Sequence, residues 1–254
     1  MSHPINLSSI STLPITELNK EKAIYRISKL INKLSDIQDK LYAQKKYSVL
    51  IILQGMDTAG KDGVVKNVFS GVNPAGCNVK SFKVPTAEEL SHQFLWRISN
   101  ECPEKGMIQI FNRSQYEDVL MPKINNQLTD AILKERCNEI NEFENRLIKN
   151  NTILLKFFLH VSYKEQIKRL NARKTDVRKR WKFQKEDILD IERHEKYKKT
   201  YEFIFKHSSS RNPWKIVPSD KKWFKNYFVL NSIVNKLQKY TIKYPELKLK
   251  DILD

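Results

Sequence analysis

Between residues 17 and 46 the apolar side chains Leu18, Ile24, Ile27, Leu30, Ile31, Leu34, Ile37 and Leu41 recur at steps of three and four, with charged residues between them. This spacing predicts one long amphipathic helix. The period then disappears. Residues 47–54 hold the continuous run Val49-Leu50-Ile51-Ile52-Leu53, which suits a strand covered on both faces and hence a parallel sheet. Alternation of the two patterns continues: helix over 60–70, strand over 77–84, helix over 87–99 behind a Pro85-Thr86 cap, strand over 107–111, helix over 129–149 and strand over 152–160. Ser162 with Glu165 three residues on predicts a capping box for the next helix. A helix over 186–207, a short strand over 214–217 closed by Pro218, and a last helix marked by Trp223, Phe224, Tyr227, Phe228, Val234 and Leu237 complete the chain. Strands alternating with helices through short links predict an α/β fold, a doubly wound parallel sheet. Residues 1–16 lack a period and read as a loose arm, leaving 17–254 as one domain. Residues 171–185 also lack one and read as a mobile flap inserted between two helices.

Composition narrows the class. In 254 residues, 40% hydrophobic and 10% aromatic content is too much for a disordered chain. No apolar run approaches the roughly 20 residues that span a bilayer, and no basic start followed by an apolar stretch marks a secretory signal. The cysteines, Cys77, Cys102 and Cys137, form no CxxC pair and read as reduced thiols of a cytoplasmic protein. His92, His160, His194 and His207 show no metal-ligand spacing, so structural or surface roles are expected, although His160 ends a buried strand and could approach a site. The net charge of +17 changes the picture more. Nine basic residues lie between Lys168 and Lys185 with only Asp176 against them. They are either a solvated helix surface or the binding face for a polyanion.

The chemistry concentrates where the first strand ends. Gly55-Met56-Asp57-Thr58-Ala59-Gly60-Lys61-Asp62-Gly63 matches GxxxxGK between a strand and a helix. In such a loop, backbone N–H groups at Gly55, Thr58, Ala59, Gly60 and Gly63 converge on phosphate, and Lys61 adds a full charge. An ordinary glycine-containing turn is the bland alternative. The usual Ser/Thr after the lysine is Asp62 here, and Asp57 lies inside the loop. Two carboxylates beside phosphate call for a divalent cation such as Mg²⁺ between them, unless either one merely caps the helix. After the third strand, Asn112 stands where many such loops have a second aspartate. Arg113 either grips a transferring phosphoryl group or pairs with Glu117 or Asp118. Arg97 and, more weakly, Lys83 are candidates to reach a nucleotide, whereas Trp96 reads as core.

The strings QGMDTAGKDG (54–63), NPAG (73–76), SFKVP (81–85), ELSHQFLWR (89–97), IFNRSQYEDVL (110–120), LKFFLHVSYKEQIKR (155–169) and PWKIVPSDKKWF (213–224) resemble, in this order, the polyphosphate kinase 2 family. The resemblance spans about residues 28–241. It implies a P-loop kinase-like fold with an N-terminal helical arm and a basic lid. It also implies Mg²⁺-dependent transfer of the terminal phosphoryl group of inorganic polyphosphate to a nucleotide, or the reverse. The NRS form of the third-strand motif resembles the subgroup that uses both nucleoside mono- and diphosphates, so ADP and AMP are the expected acceptors, with GDP and GMP next. By the same resemblance Asp57, Lys61 and Asp62 are catalytic and metal-binding, and Asn112, Arg113 and Glu117 contact acceptor and phosphate. The basic segment is a lid over the polyphosphate channel, and a homodimer or homotetramer is implied. Family members commonly carry His where this chain has Gln115. Within the lid and its root, Arg169, Arg178 and Lys179 are candidate phosphate ligands, and Arg173 joins Arg113 in stabilising the transferring group.

Two other readings remain at this point. An ATP-dependent nucleoside monophosphate kinase would share the loop and fold, but Asp62 and the basic segment argue against it. A nucleic-acid-binding P-loop protein would interleave aromatics with its cations, and only Trp181 and Phe183 do so between 168 and 185. No membrane partner is expected.

Overall fold

The computed structural model describes residues 5–181, 183, 189, 191–209 and 211–246. Five parallel strands form one sheet: β1 (Ser48–Gly55), β2 (Cys77–Ser81), β3 (Ile108–Asn112), β4 (Thr152–His160) and β5 (Trp214–Pro218), in the order β2-β3-β1-β4-β5. Every residue of β1 and β4 is buried, as their unbroken apolar runs require of strands covered on both faces. β5 is an edge strand, which is where a strand can hold Pro218. Leu53 of β1 lies beside Asn112 of β3, so the glycine-rich loop and the third-strand turn leave the same edge of the sheet. That is the carboxyl end, on the side where the strand order reverses around β1.

The long helix α1 (Lys20–Gln44) is capped by the Asn19 side chain and packs on the last helix of the chain. It buries Ala23, Leu34 and Leu41, but Ile24, on the predicted apolar face, is 53% exposed. α2 (Lys61–Val68) follows the loop. The predicted helix over 87–99 divides into α3 (Ala87–Ser91) and α4 (Trp96–Ser99). Thr86 does cap α3, in a capping box with Glu89. Between the two helices His92 is extended and the Gln93 side chain accepts from the backbone N–H of Leu95, a local bond that competes with helix. β2 stops at Ser81, short of the predicted 84.

A helix absent from the sequence reading, α5 (Glu117–Ile124), follows the third-strand turn. Then come α6 (Asp130–Lys149) and α7 (Tyr163–Thr175). Ser162 caps α7, but the other half of the expected box is missing: the Glu165 carboxylate takes Arg169 instead, and the Ser162 N–H donates to Asp220. The segment read as an aperiodic flap is helical through Thr175 and again in α8 (Val177–Arg180), while 182, 184 and 185 fall outside the described residues. Of the predicted helix over 186–207, α9 (His194–His207) is described in full. α10 (Lys222–Leu237) closes the chain's described architecture.

Two readings change on packing grounds. The described part of the N-terminal arm is anchored: Leu7 is buried, its N–H donates to Glu202, and Thr12 bonds Asp220. His160 is what holds it, its Nε2–H reaching the carbonyls of Leu7 (3.1 Å) and Ile10 (3.2 Å), so this histidine serves the arm rather than the site. Trp96 is half-buried and stacks on His92 at 4.0 Å.

Lys156, the charge that interrupts the apolar run of β4, is fully buried and pairs with Glu144 of α6 at 2.6 Å. Its ammonium also donates to the Tyr116 hydroxyl, which donates to Glu144, as does Gln115. Removing one partner of such a pair strands a buried charge. Lys156→Met should therefore cost about 3–5 kcal/mol in urea unfolding, and Glu144→Gln/Lys156→Met should regain part of it because a neutral amide needs no counter-charge. A double variant no more stable than the single one would contradict this.

Candidate active site

β1 ends in a loop whose geometry only certain residues tolerate. Gly60, at the N-cap of α2, has φ +92°, and a Cβ there would strike the Lys225 ammonium. Thr58 and Arg113 take φ of +60° and +66°, values that a branched or long side chain adopts only under constraint from its surroundings. The constraint on the loop is visible in its carbonyls. Lys61 Nζ donates to the oxygens of Gly55 (2.8 Å) and Met56 (3.4 Å). Gln166 donates to that of Asp57 (2.9 Å), and Arg169 to those of Thr58 (3.0 Å) and Ala59 (3.1 Å). Lys225 Nζ donates to those of Ala59 (3.0 Å) and Gly60 (2.9 Å). Burial, then the neighbouring Arg113, lowers Lys61 to about 8 against the pull of Asp57 and Glu117. Burial, then Arg169, Lys222 and Lys61, lowers Lys225 to about 7.

The carboxylates are engaged too. Asp57 accepts from Arg173 at 3.1 Å and stands 3.8 Å from Arg113, whose other nitrogen pairs with Glu117 at 3.4 Å. Glu117, with Asp57 adding and burial opposing, holds the Arg113 guanidinium above its usual value. Asp62 lies in the first turn of α2 and accepts from the Asn112 amide at 2.9 Å.

Two cavities open here and share Phe82, Lys83, Val84 and Arg113. One, about 830 Å³, is lined by Asp57, Lys61, Asp62, Arg173, Lys222 and Lys225 among others. The second, about 810 Å³, has apolar walls from Phe82, Phe94, Met121 and Ile132 and charged groups of both signs, among them Arg97, Arg136, Glu117 and Asp118.

Residues 17–245 match the family model described as Polyphosphate kinase 2 (PPK2). The chain belongs to the polyphosphate kinase 2 family. The AMP/ADP-polyphosphate phosphotransferase of Meiothermus ruber is 40% identical over 231 residues, 91% of this chain and 86% of that protein. The ADP-polyphosphate phosphotransferase of Rhodopseudomonas palustris is 39% identical over 85% of this chain and 79% of its own length. Polyphosphate kinase 2 from Arthrobacter aurescens TC1 superposes with a TM-score of 0.94 at 34% identity, covering 98% of this chain and 90% of that one. The chain is thus a phosphotransferase of this family with its P-loop kinase-like fold, and neither the ATP-dependent monophosphate kinase nor the nucleic-acid-binding reading is favoured.

Within this polyphosphate kinase 2 fold, Gly60, Lys61, Asp57, Asp62, Gly63, Thr58, Asn112, Arg113 and Arg173 surround the first cavity, and Lys83, Arg97, Arg113 and Glu117 line the second. Gly55 and Ala59 stand behind as loop backbone. Arg97 is locked, donating to the Lys83 carbonyl and to Asp118 (both 3.0 Å). Arg169 also lines the first cavity, and its guanidinium donates to Glu165 and to the carbonyls of Thr58, Ala59, Ser219 and Asp220, so it braces the loop as well. Arg178 pairs with Asp176 and its side chain is 89% exposed, outside both cavity linings. The Lys179 side chain falls outside what is described. Lys225, Gln166 and Lys222 were missed. Lys225 had only its place directly after the PSDKKWF string as a signal.

Both site lysines sit below the roughly 10.4 of an unfolded chain, so above about pH 7 the unfolded state binds more protons and stability should rise with pH. Below that, Lys225 is protonated in both states and contributes no slope. Lys225→Met should flatten the rise in urea-unfolding free energy between about pH 7 and 8, below the midpoint near about 8.5 at which unfolded thiols titrate. Equal slopes in both proteins would show that Lys225 is not desolvated as described.

Proposed function

We propose that the loop cavity binds inorganic polyphosphate, that the adjoining cavity binds the nucleotide, and that a phosphoryl group passes between them at Arg113. The observation that carries this reading is the meeting of the two cavities at that residue. One side offers Lys61, Arg173, Lys222 and Lys225, a cationic lining suited to a polyanion. The other offers aromatic and apolar walls beside charged groups of both signs, which suits a base and ribose next to a phosphate. The names of the relatives support AMP and ADP as acceptors, and GDP is supported by a GDP-polyphosphate phosphotransferase of Mycobacterium tuberculosis at 28% identity.

The reaction asks little covalent chemistry of the protein. An ionised terminal oxygen of AMP or ADP attacks the end phosphorus of the polyphosphate. The P–O bond to the chain breaks, and the departing chain keeps that electron pair as negative charge. No proton moves, so no general base is needed. Lys61 and the loop N–H groups hold the donor, and Arg113 and Arg173 stabilise charge on the oxygens of the moving group. Asp57 and Asp62 are the carboxylates facing this cavity, and no cluster of three or more metal-binding side chains exists among the described residues. Two carboxylates with phosphate oxygens and water suit Mg²⁺, which resists full dehydration, and they would hold it here. When bound, the ion offsets charge on the bridged phosphates.

A cytoplasmic location fits the three free thiols, which burial raises to about 11 at Cys77 and Cys102 and about 12 at Cys137. Among the described residues no helix is long and apolar enough to cross a membrane. In a homodimer or homotetramer the exposed Ile24, Tyr25 and Tyr42 of α1 are apolar surface available for cover.

Purified protein given Mg²⁺, polyphosphate and either AMP or ADP, with no ATP, should form the next higher phosphate. Lys61→Met and Arg113→Met should each lower kcat by about 100-fold or more. Turnover near the wild-type rate in Lys61→Met, or unchanged nucleotides with the wild type, would overturn the reading.

A further inference from the structure

Asp57 is where the loop, the third-strand turn and the roots of the basic segment meet. Its carboxylate faces Arg173 and Arg113. Its carbonyl is held separately, by the Gln166 amide of α7 at 2.9 Å. Gln166 is 1% exposed, and its amide has one permitted orientation. A nitrogen must face the Asp57 carbonyl, which leaves Oε1 facing His194 Nδ1 at 2.5 Å. An oxygen there requires the hydrogen on Nδ1. The donors therefore run in one direction, from His194 through Gln166 to Asp57. The ring of His194 is 8% exposed and lies edge-on to Tyr163 at 5.5 Å, which fixes its plane.

The placement in the chain gives this relay its meaning. Gln166 lies before the basic segment, on the same helix as Arg173. His194 lies after it, as the first residue of α9. Both roots of the segment are thus tied by one amide to the peptide carrying the carboxylate. An apolar side chain at 194 would leave the buried Gln166 oxygen without a donor.

We propose that Gln166 and His194 are positioning residues: they set the 57–58 peptide, and through it the direction of the Asp57 carboxylate, in register with the two roots of the lid. This rests on the role given to Asp57 above. Disturbing groups that orient a metal-holding side chain commonly costs 10–100-fold, and about that loss of kcat is expected for His194→Phe and for Gln166→Met. KM for polyphosphate should stay close to wild type, because Lys61 and the arginines remain. His194→Asn puts an N–H near the Nδ1 position. It should recover most of kcat even where its smaller side chain lowers Tm as much as phenylalanine does. His194→Phe/Gln166→Met should be no slower than Gln166→Met alone, since both break one relay. Mn²⁺ binding followed by electron paramagnetic resonance with tripolyphosphate present, and without nucleotide, should weaken in His194→Phe and recover in His194→Asn. The proposal fails if kcat tracks Tm across the set, or if Gln166→Met turns over normally. Asp57→Asn separates the two failures. If it is inactive while Gln166→Met is normal, only the relay is refuted; if it is fully active, the role of Asp57 itself is.

Discussion

Six consecutive carbonyl groups, Gly55 through Gly60, each accept a hydrogen bond from a side chain, and the rest of the site depends on that arrangement. In a trans peptide the C=O and the N–H point in opposite directions. Drawing the oxygens of a loop to one side therefore turns its N–H groups to the other. The N–H of Ala59 is an exception, closing a turn onto Met56. Left alone, such a loop would relax, since Thr58 holds a left-handed conformation. Gln166, Arg169 and Lys225 hold it from behind, and Lys61 from within. A site whose donors are already aimed need not reorganise when charge develops in front of them.

This arrangement explains which parts of the site could be read from the chain. Lys61 and the glycines announce themselves because a phosphate loop is a local object of nine residues. Its support is not local. Gln166 lies 109 residues from the carbonyl it holds, and Lys225 lies 166 from Ala59. No period or spacing reports such a distance. Arg169 shows the same limit from the other side. Its charge and its place at the lid root point to phosphate, and it lines the first cavity, but no pattern in the chain reports that five acceptors already surround its guanidinium. Cation type is legible in a sequence, whereas what surrounds the cation is not.

The fold follows the same division. β1 and β4 were legible because burial on both faces leaves an unbroken apolar run. The helix over 87–99 was misread as continuous because a single side-chain bond from Gln93 supplies the backbone with another partner. α5 was missed because it is short and carries Pro122, and its start is fixed by tertiary bonds from Gln115 and Tyr116 to Glu144 rather than by a cap of its own. The anchored arm depends on Glu202, His160 and Asp220, all far along the chain.

With a net charge of +17, a site crowded with cations has to be held together before any phosphate arrives. Asp57 and Glu117 do this for Arg113, and Asp57 does it for Arg173. Each carboxylate thus occupies a guanidinium face that a phosphate oxygen could take. A pair buried as deeply as Lys156–Glu144 could not release its partners at acceptable cost. Arg113, at 41% side-chain exposure, keeps enough contact with water for exchange to remain cheap. The lysines complete the logic. Lys61 and Lys225 are held well below their ordinary values by burial first and neighbouring cations second, so keeping them protonated in the empty site carries a penalty. An entering polyanion removes that penalty, while a neutral or singly charged ligand removes little of it. Preference for a phosphate chain then follows from the state of the empty site as much as from contacts made to the chain itself.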